Sequence, residues 1–221
     1  MKAVQPIKAL VLLTLLAGCG NMPDSQELSG SVSALVAAVR GHRGAPAPNV
    51  PASDLKVAKW SKTPLLFVSL PKLRGYRSMF RDINVNADVV TWLSPEGADI
   101  SLRNGVLIQT RGLTNDLMSS QAPTAREIGK GSGTTERKMA YLNGADQTFV
   151  ASYQCSLRTI GQATENFGPH KVQLKHVNEV CAGPSGSFTN QYWLDGTSRI
   201  WKSVQWVSQK TGYATMLVAG G

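Results

Sequence analysis

The sequence predicts an all-β fold: an antiparallel, meander-rich barrel or sandwich of about ten strands, preceded by a short N-terminal helix. Three observations lead there. Ser187–Val218 contains three short runs rich in aromatic and β-branched residues. They are separated by Asp195-Gly196-Thr197-Ser198 and Gln209-Lys210-Thr211-Gly212, the pattern of a three-strand meander. Asn104-Gly105 lies between Ala98–Arg103 and Val106–Arg111. That dipeptide marks a tight hairpin because both turn positions need positive φ. From Trp60 onward, strand-like runs follow one another with no long helical periodicity.

In chain order, the first segment has a basic start at Lys2 and Lys8, then an apolar run over Ala9–Ala17. That run is far shorter than the ~20 apolar residues a bilayer-spanning helix needs, so it reads as an export signal. It ends in Leu16-Ala17-Gly18-Cys19, which resembles the bacterial lipoprotein cleavage box. The resemblance implies removal of residues 1–18, a diacylglycerol on the Cys19 sulfur and a further acyl chain (palmitate) on the new amino group. Two or more chains give stable anchoring where one would not. Gly20 follows, where an aspartate in enterobacterial lipoproteins tends to retain the protein at the inner membrane. The expectation is therefore the periplasmic face of the outer membrane. Residues 19–53 are expected to hold the anchor, a short helix and a linker, and residues 54–221 the β domain. Asp24-Ser25 caps a helix from Gln26 to Val39, in which Leu28, Val32, Leu35, Val36 and Val39 form one apolar stripe. Gly41–Ser53 is a Pro/Ala/Gly linker.

Leu65–Leu70, bounded by Pro64 and Pro71, reads as a strand, followed by Arg77–Asn84 and Ala87–Leu93. The Asn104-Gly105 hairpin should place Leu102 opposite Leu107. Leu113–Ser120 is expected to form one or two helical turns with Thr114 as a cap, and Gln121–Thr135 a polar, flexible loop. Gly129-Lys130-Gly131-Ser132-Gly133 lacks the spacing of a phosphate loop. Arg137–Leu142 and Gln147–Ile160 read as strands around a turn at Asn143-Gly144-Ala145-Asp146. In the second, Phe149, Ala151, Tyr153, Cys155 and Leu157 share a face, which points Cys155 into the core. Lys171–Cys181 pairs back through a turn at Phe167-Gly168-Pro169. With Cys19 lipidated, Cys155 and Cys181 form an even pair in an oxidising compartment, which predicts a disulfide. Parity objects, because Val172, Leu174 and Val180 lie on the face opposite Cys181. The disulfide then requires a bulge near His176-Val177, or a chain end that curls over.

Loss of residues 1–18 takes Lys2 and Lys8 with it and lowers the net charge from +9 to +7. Such a surface suits anionic lipid headgroups or an acidic polysaccharide. There is no Lys/Arg run of the kind that grips nucleic acid. No catalytic motif, cofactor motif or metal-ligand spacing is visible. His42, His170 and His176 are scattered, and sequence alone pairs none of Asp88, Asp99, Asp116, Glu179 and Asp195.

Two stretches carry a family resemblance. One is Trp92-Leu93, Ile100–Leu113 and Asp116-Leu117; the other is Glu179-Val180-Cys181, Phe188–Trp193 and Ile200–Trp206. With the lipoprotein signal, they resemble the YjbF/GfcB (YmcC) family of lipoproteins, over roughly Leu55 to the C-terminus. The resemblance implies an all-β, barrel-like domain and a place in capsule or exopolysaccharide production. It implies a pathway rather than a reaction.

Three functions compete. The first is a non-catalytic module that assists exopolysaccharide or capsule assembly or export. Aromatic rings stack on sugar C–H faces while Arg, Asn and Gln bond hydroxyl rims. Trp92, Arg103, Arg111, Asn190, Tyr192, Trp201, Gln205 and Trp206 are the candidate binding residues. The second is a structural partner that docks on secretion-machinery proteins through an apolar patch or open sheet edge. The third is a polysaccharide-modifying enzyme, which needs two acidic groups or a nucleophile and base in one pocket.

Overall fold

A computed structural model describes residues 61–221. The signal segment, the helix expected over 26–39 and the linker lie outside the described residues. Twelve antiparallel strands form one sheet. The first meander comprises β1 (Leu65–Leu70), β2 (Tyr76–Asn86), β3 (Val89–Leu93), β4 (Asp99–Arg103) and β5 (Val106–Arg111). The second comprises β6 (Ser119–Gln121), β7 (Ser132–Leu142), β8 (Thr148–Phe167), β9 (His170–Gly183), β10 (Gly186–Leu194), β11 (Ile200–Ser208) and β12 (Gly212–Val218). Pairing of β1 with β12 joins them, giving the order β5-β4-β3-β2-β1-β12-β11-β10-β9-β8-β7-β6. The Thr110 N–H donates to the Leu117 carbonyl at 2.9 Å, just ahead of β6, so the two edges nearly close a barrel. Closure removes exposed edges.

The strands form where period-two alternation buries one face. Leu66, Val68 and Leu70 of β1 point into the main core with Phe80, Ile100, Leu107, Met139 and Met216. The Asn104-Gly105 turn has φ of 47° and 85°, and Leu102 sits opposite Leu107 as expected. The aromatic meander is β10, β11 and β12.

Two local expectations fail. Leu113–Ser120 is not helical. The Asp116 carboxylate accepts from Thr110 Oγ1 (2.9 Å), Gly112 N (3.0 Å) and Leu113 N (3.1 Å), which folds the loop around it. Ser119 then begins β6. Conversely, the expected loop over Gln121–Thr135 contains α1 (Ala125–Lys130). Its capping box is complete: Glu127 N donates to Thr124 Oγ1 (3.2 Å), and Thr124 N donates to Glu127 Oε2 (2.7 Å). Ala125 and Ile128 bury its inner side, and Gly131 ends it with φ 70°.

The disulfide Cys155–Cys181 is present, with the two residues paired directly across β8 and β9. The parity conflict resolves with a bulge at the level of His176-Val177 and a hairpin end that curls over, as expected, but the bulge is on the other strand. β9 is regular: Val177, Glu179 and Cys181 face inward, and Leu174 faces outward. The bulge lies on the partner strand, between Thr159 and Gly161, opposite Val177 and His176. It leaves Ile160 unpaired and flips the odd-numbered residues of β8 from the inner to the outer face. Glu165 and Phe167 thereby meet β11: Glu165 Oε1 accepts from Lys202 Nζ at 2.8 Å, and the Phe167 and Trp201 rings are 5.0 Å apart. In the sheet order, β9 and β10 stand between β8 and β11, a separation of roughly 14 Å at ordinary strand spacing. The hairpin end therefore curls over the outer face. There Leu174, Phe167, Trp201, Phe67 and Leu217 form an external apolar cluster.

Cys155 and Cys181 are separated by 26 positions, so losing the bridge through Cys155→Ala with Cys181→Ala should lower the unfolding free energy by about 3.5 kcal/mol. Urea denaturation of the mature protein measures this; an unchanged midpoint would show that the bridge does not restrain the unfolded chain.

Candidate functional site

Two regions bring polar side chains together: the barrel interior and a cavity at one end. In the interior, inward parity places Arg137 on β7 beside Met139 and Tyr141. Its side chain is 2% exposed and its partner Glu179 on β9 is 0% exposed. Arg137 Nη2 donates to Glu179 Oε2 at 2.9 Å, and Nε to Oε1 at 3.3 Å. Glu179 Oε2 also accepts from Asn190 Nδ2 (2.7 Å) and the Tyr192 hydroxyl (3.0 Å). Asn190 Oδ1 accepts from Trp206 N at 2.7 Å. Gln205 continues the network, accepting from Leu107 N (2.8 Å) and donating to the Gly105 carbonyl (2.8 Å). Burial alone would lower the Arg137 pKa, but the Glu179 charge, with Tyr192 and the hydrogen bonds to both, outweighs it and holds the guanidinium above its ordinary value. Burial, then the Glu179 charge, pushes the Tyr192 hydroxyl well up, so it stays a protonated donor. Cys155, Glu179 and Cys181 place ligand-type atoms within 4.8 Å of one another, yet the sulfurs are bonded together, which leaves no thiolate for a metal.

The cavity, of about 570 Å³, opens at the barrel end that holds the β2–β3, β4–β5 and β10–β11 turns. Val90 and Trp92 of β3, the Asn104-Gly105 turn, Arg126 of α1, Thr197–Arg199 and Trp201 form its wall. Asp195 shapes one side. Its Oδ1 accepts from Thr197 N (2.8 Å), Thr197 Oγ1 (2.6 Å) and Arg199 N (3.1 Å), and its Oδ2 from Trp201 Nε1 (2.8 Å). Burial pushes the Asp195 carboxyl up, but these bonds outweigh it and hold it below its ordinary value. The turn lays the Arg199 guanidinium 4.3 Å over the Trp201 ring, and Phe167 and His170 also pack on Trp201. Trp92 is half-buried, and its indole N–H has no hydrogen-bond partner among the described residues.

The eight candidate residues therefore separate. Trp92 and Trp201 meet in the cavity wall. Asn190, Tyr192 and Gln205 are buried, with their polar atoms bonded inside the barrel. Arg103 pairs with Asp88 at 3.5 Å and lines a second cavity of about 470 Å³ with Gln121, Glu127 and Glu136. Arg111 ends β5 and lines neither cavity. Trp206 packs between Phe188 (5.8 Å) and Tyr213 (5.1 Å). Sequence reasoning missed Arg137, Arg126 and Arg199. Strand parity with Met139 and Tyr141 was the available signal for Arg137, and the capping box around Arg126 was the signal for α1.

Removing one partner of a buried ion pair strands the other, so Glu179→Gln should lower stability by about 3–5 kcal/mol, read by urea denaturation. A loss under about 1 kcal/mol, the scale of an exposed pair, would mean the pair is not needed. For Asp195 the depressed pKa contributes stability that is fully present above its unfolded value near 3.8 and is lost as pH falls through the lower folded value. Below about pH 4, the melting temperature of the native protein should therefore fall more steeply than that of Asp195→Asn. Parallel melting curves would remove Asp195 as the organiser of this turn.

The family model described as group 4 capsule polysaccharide lipoprotein gfcB, YjbF matches residues 48–218. Among solved structures, the crystal structure of the hypothetical lipoprotein YmcC from Escherichia coli (K12) is similar, with a TM-score of 0.62 at 17% identity. The alignment covers 72% of this chain and 84% of that one, and at this identity the likeness is one of fold. No curated protein matches the chain. The family match spans both meanders, the buried network and the cavity, so this chain belongs to the YjbF family of group 4 capsule polysaccharide lipoproteins.

Proposed function

We propose that this chain is a lipid-anchored protein of the outer membrane, facing the periplasm, which assists capsule or exopolysaccharide assembly or export by binding glycan without transforming it. The anchor is the lipidated Cys19, with Gly20 favouring the outer membrane. The binding site is the 570 Å³ cavity, a volume within the range of small-molecule sites. The observation that carries the reading is the composition of its wall. It combines indole rings and guanidinium donors with a single side-chain carboxylate among the described residues, Asp88, which already faces Arg103. Sugar recognition needs apolar faces and donors. Glycoside hydrolysis needs two carboxylates flanking one bond, so this wall favours binding over hydrolysis.

A second reading rests on the β7–β8 hairpin, where Leu142, Phe149 and Val150 are 37%, 46% and 58% exposed. Such a tip suits docking on a secretion-machinery protein.

Titration of the mature protein with capsular polysaccharide fragments from the producing strain, followed by calorimetry, tests the first reading. Binding should occur and should be abolished by Val90→Trp, which fills the cavity, with the melting temperature retained. Absence of heat with the native protein, or undiminished binding by the filled variant, would refute glycan binding there. Cys19→Ala should move the protein from the membrane fraction to the soluble periplasm; a variant that stays with the membrane would overturn the anchor.

A further inference from the structure

The charges around the cavity are not balanced. Asp88 faces Arg103, and the Lys202 ammonium is engaged by Glu165 on the outer face at 2.8 Å. Arg126 and Arg199 remain, exposed, on the same wall, and neither forms an ion pair with a carboxylate among the described residues. Both are held in place by their surroundings. The Asp195 turn fixes the Arg199 backbone, and the guanidinium lies 4.3 Å over Trp201. Arg126 is carried by α1, which is pinned against that same turn. A Cβ on Gly129 would stand 2.5 Å from Ser198 Oγ, and Lys175 Nζ donates to the Gly129 carbonyl at 2.9 Å. The Arg199 guanidinium, fixed over Trp201, and the Arg126 side chain, carried on the helix that touches its turn, thus line one cavity. A planar guanidinium matches a carboxylate bidentately, and little side-chain freedom is lost when it is already ordered.

The ring of Trp92 lines the same cavity, while its indole N–H is buried away from it. Two cations beside indole rings describe a ligand with a negative group and an apolar face.

We infer that the cavity selects an acidic sugar: Arg126 and Arg199 take the carboxylate of a uronic acid residue. This rests on the glycan reading above and adds the class of sugar.

The test compares oligogalacturonates of three to six residues with the same oligosaccharides after reduction of their carboxylates to alcohols. Both series are titrated into the mature protein and followed by calorimetry and by protein NMR shifts. The acidic series should bind roughly tenfold or more tighter, the scale of a charge-assisted hydrogen bond. The double variant Arg126→Gln with Arg199→Gln should erase that preference. Equal affinity of native protein for the two series would overturn acid selection while leaving glycan binding intact. A preference that survives the double variant would remove the arginines as its source. Absence of binding to either series would overturn the inference, whereas the glycan reading itself stands or falls on the strain's own polysaccharide.

Discussion

A charge buried in a barrel must be matched completely, and the interior of this one is arranged to match Arg137 and Glu179. Neither side chain reaches water, so the pair stands only because Arg137, Asn190 and Tyr192 meet the Glu179 carboxylate directly. Glu179 Oε2 alone accepts from Arg137, Asn190 and Tyr192. Those partners come from β7 and β10, on either side of β9. The interior therefore sets the register across the run β10-β9-β8-β7 more strictly than apolar packing would, because a one-residue slip would carry Glu179 to the outer face. The network then leaves the strands that flank it. Gln205 bonds Leu107 N and the Gly105 carbonyl, so the β4–β5 hairpin is tied to β11 across the barrel. Gly105 is also where a Cβ would stand 2.8 Å from Ile200 Cβ, at a φ of 85°. The hairpin seats that closely only because the residue is glycine. The cavity floor is thus an extension of the buried ion pair.

The outer face is organised by the bulge at Ile160. An ordinary hairpin of this length would project its tip into water, with Leu174 and Phe167 exposed. Reversing the parity of β8 alone turns Glu165 and Phe167 toward β11, and the arm folds down. Lys202 shows how closely it fits. Its side chain is 4% exposed, its ammonium meets Glu165, and it lies 4.4 Å from the centre of the Trp193 ring. His176 stacks on the other side of that indole system, with ring centroids 4.2 Å apart. Burial, and then Lys202 nearby, pull the His176 pKa down, although its bond to Gln191 works the other way. A neutral ring is what packing beside a buried ammonium requires. The arm matters to the cavity because Phe167 and His170 support Trp201 from outside while Arg199 covers it from the cavity side. The wall is held from both directions.

Much of this was legible from residue order. Turn chemistry identified the Asn104-Gly105 hairpin and the aromatic meander, since Gly and Asn at positive φ leave a local signature. Cysteine number identified the disulfide. Parity was less informative where both faces of a strand are buried: Val172 and Leu174 read as inward because apolar residues usually are, yet the curled arm covers them on the outside. The six-residue α1 was missed although Thr124 and Glu127 stand at capping-box spacing, because a helix that buries only Ala125 and Ile128 shows no apolar stripe. For the candidate site, residue type alone misled. Asn190, Tyr192 and Gln205 have the chemistry of sugar ligands and are also what a buried carboxylate and free backbone groups demand. Sequence does not distinguish the two uses, because the choice depends on which strand face meets Arg137, a residue more than forty positions earlier than any of them.

The position of the cavity bears on how a tethered protein would use it. Ser61 N donates to the Ala219 carbonyl at 2.9 Å, and Gly220 lines the cavity, so the chain enters the barrel beside the opening. With Cys19 held in a membrane as proposed, the residues leading to Ser61 span at most on the order of 140 Å when fully extended. That reach lets the domain leave the bilayer without losing its attachment, and it keeps the cavity near the root of the tether. A glycan bound there would be held at a bounded distance from the membrane surface, at an effective concentration set by the tether rather than by bulk diffusion. Modest affinity at the cavity then suffices, because a long polymer offers many equivalent residues and each release is followed by rebinding nearby. A tight, enclosing pocket would hinder passage of such a polymer. An open cavity with two guanidinium groups and indole rings in its wall is suited to repeated capture and release.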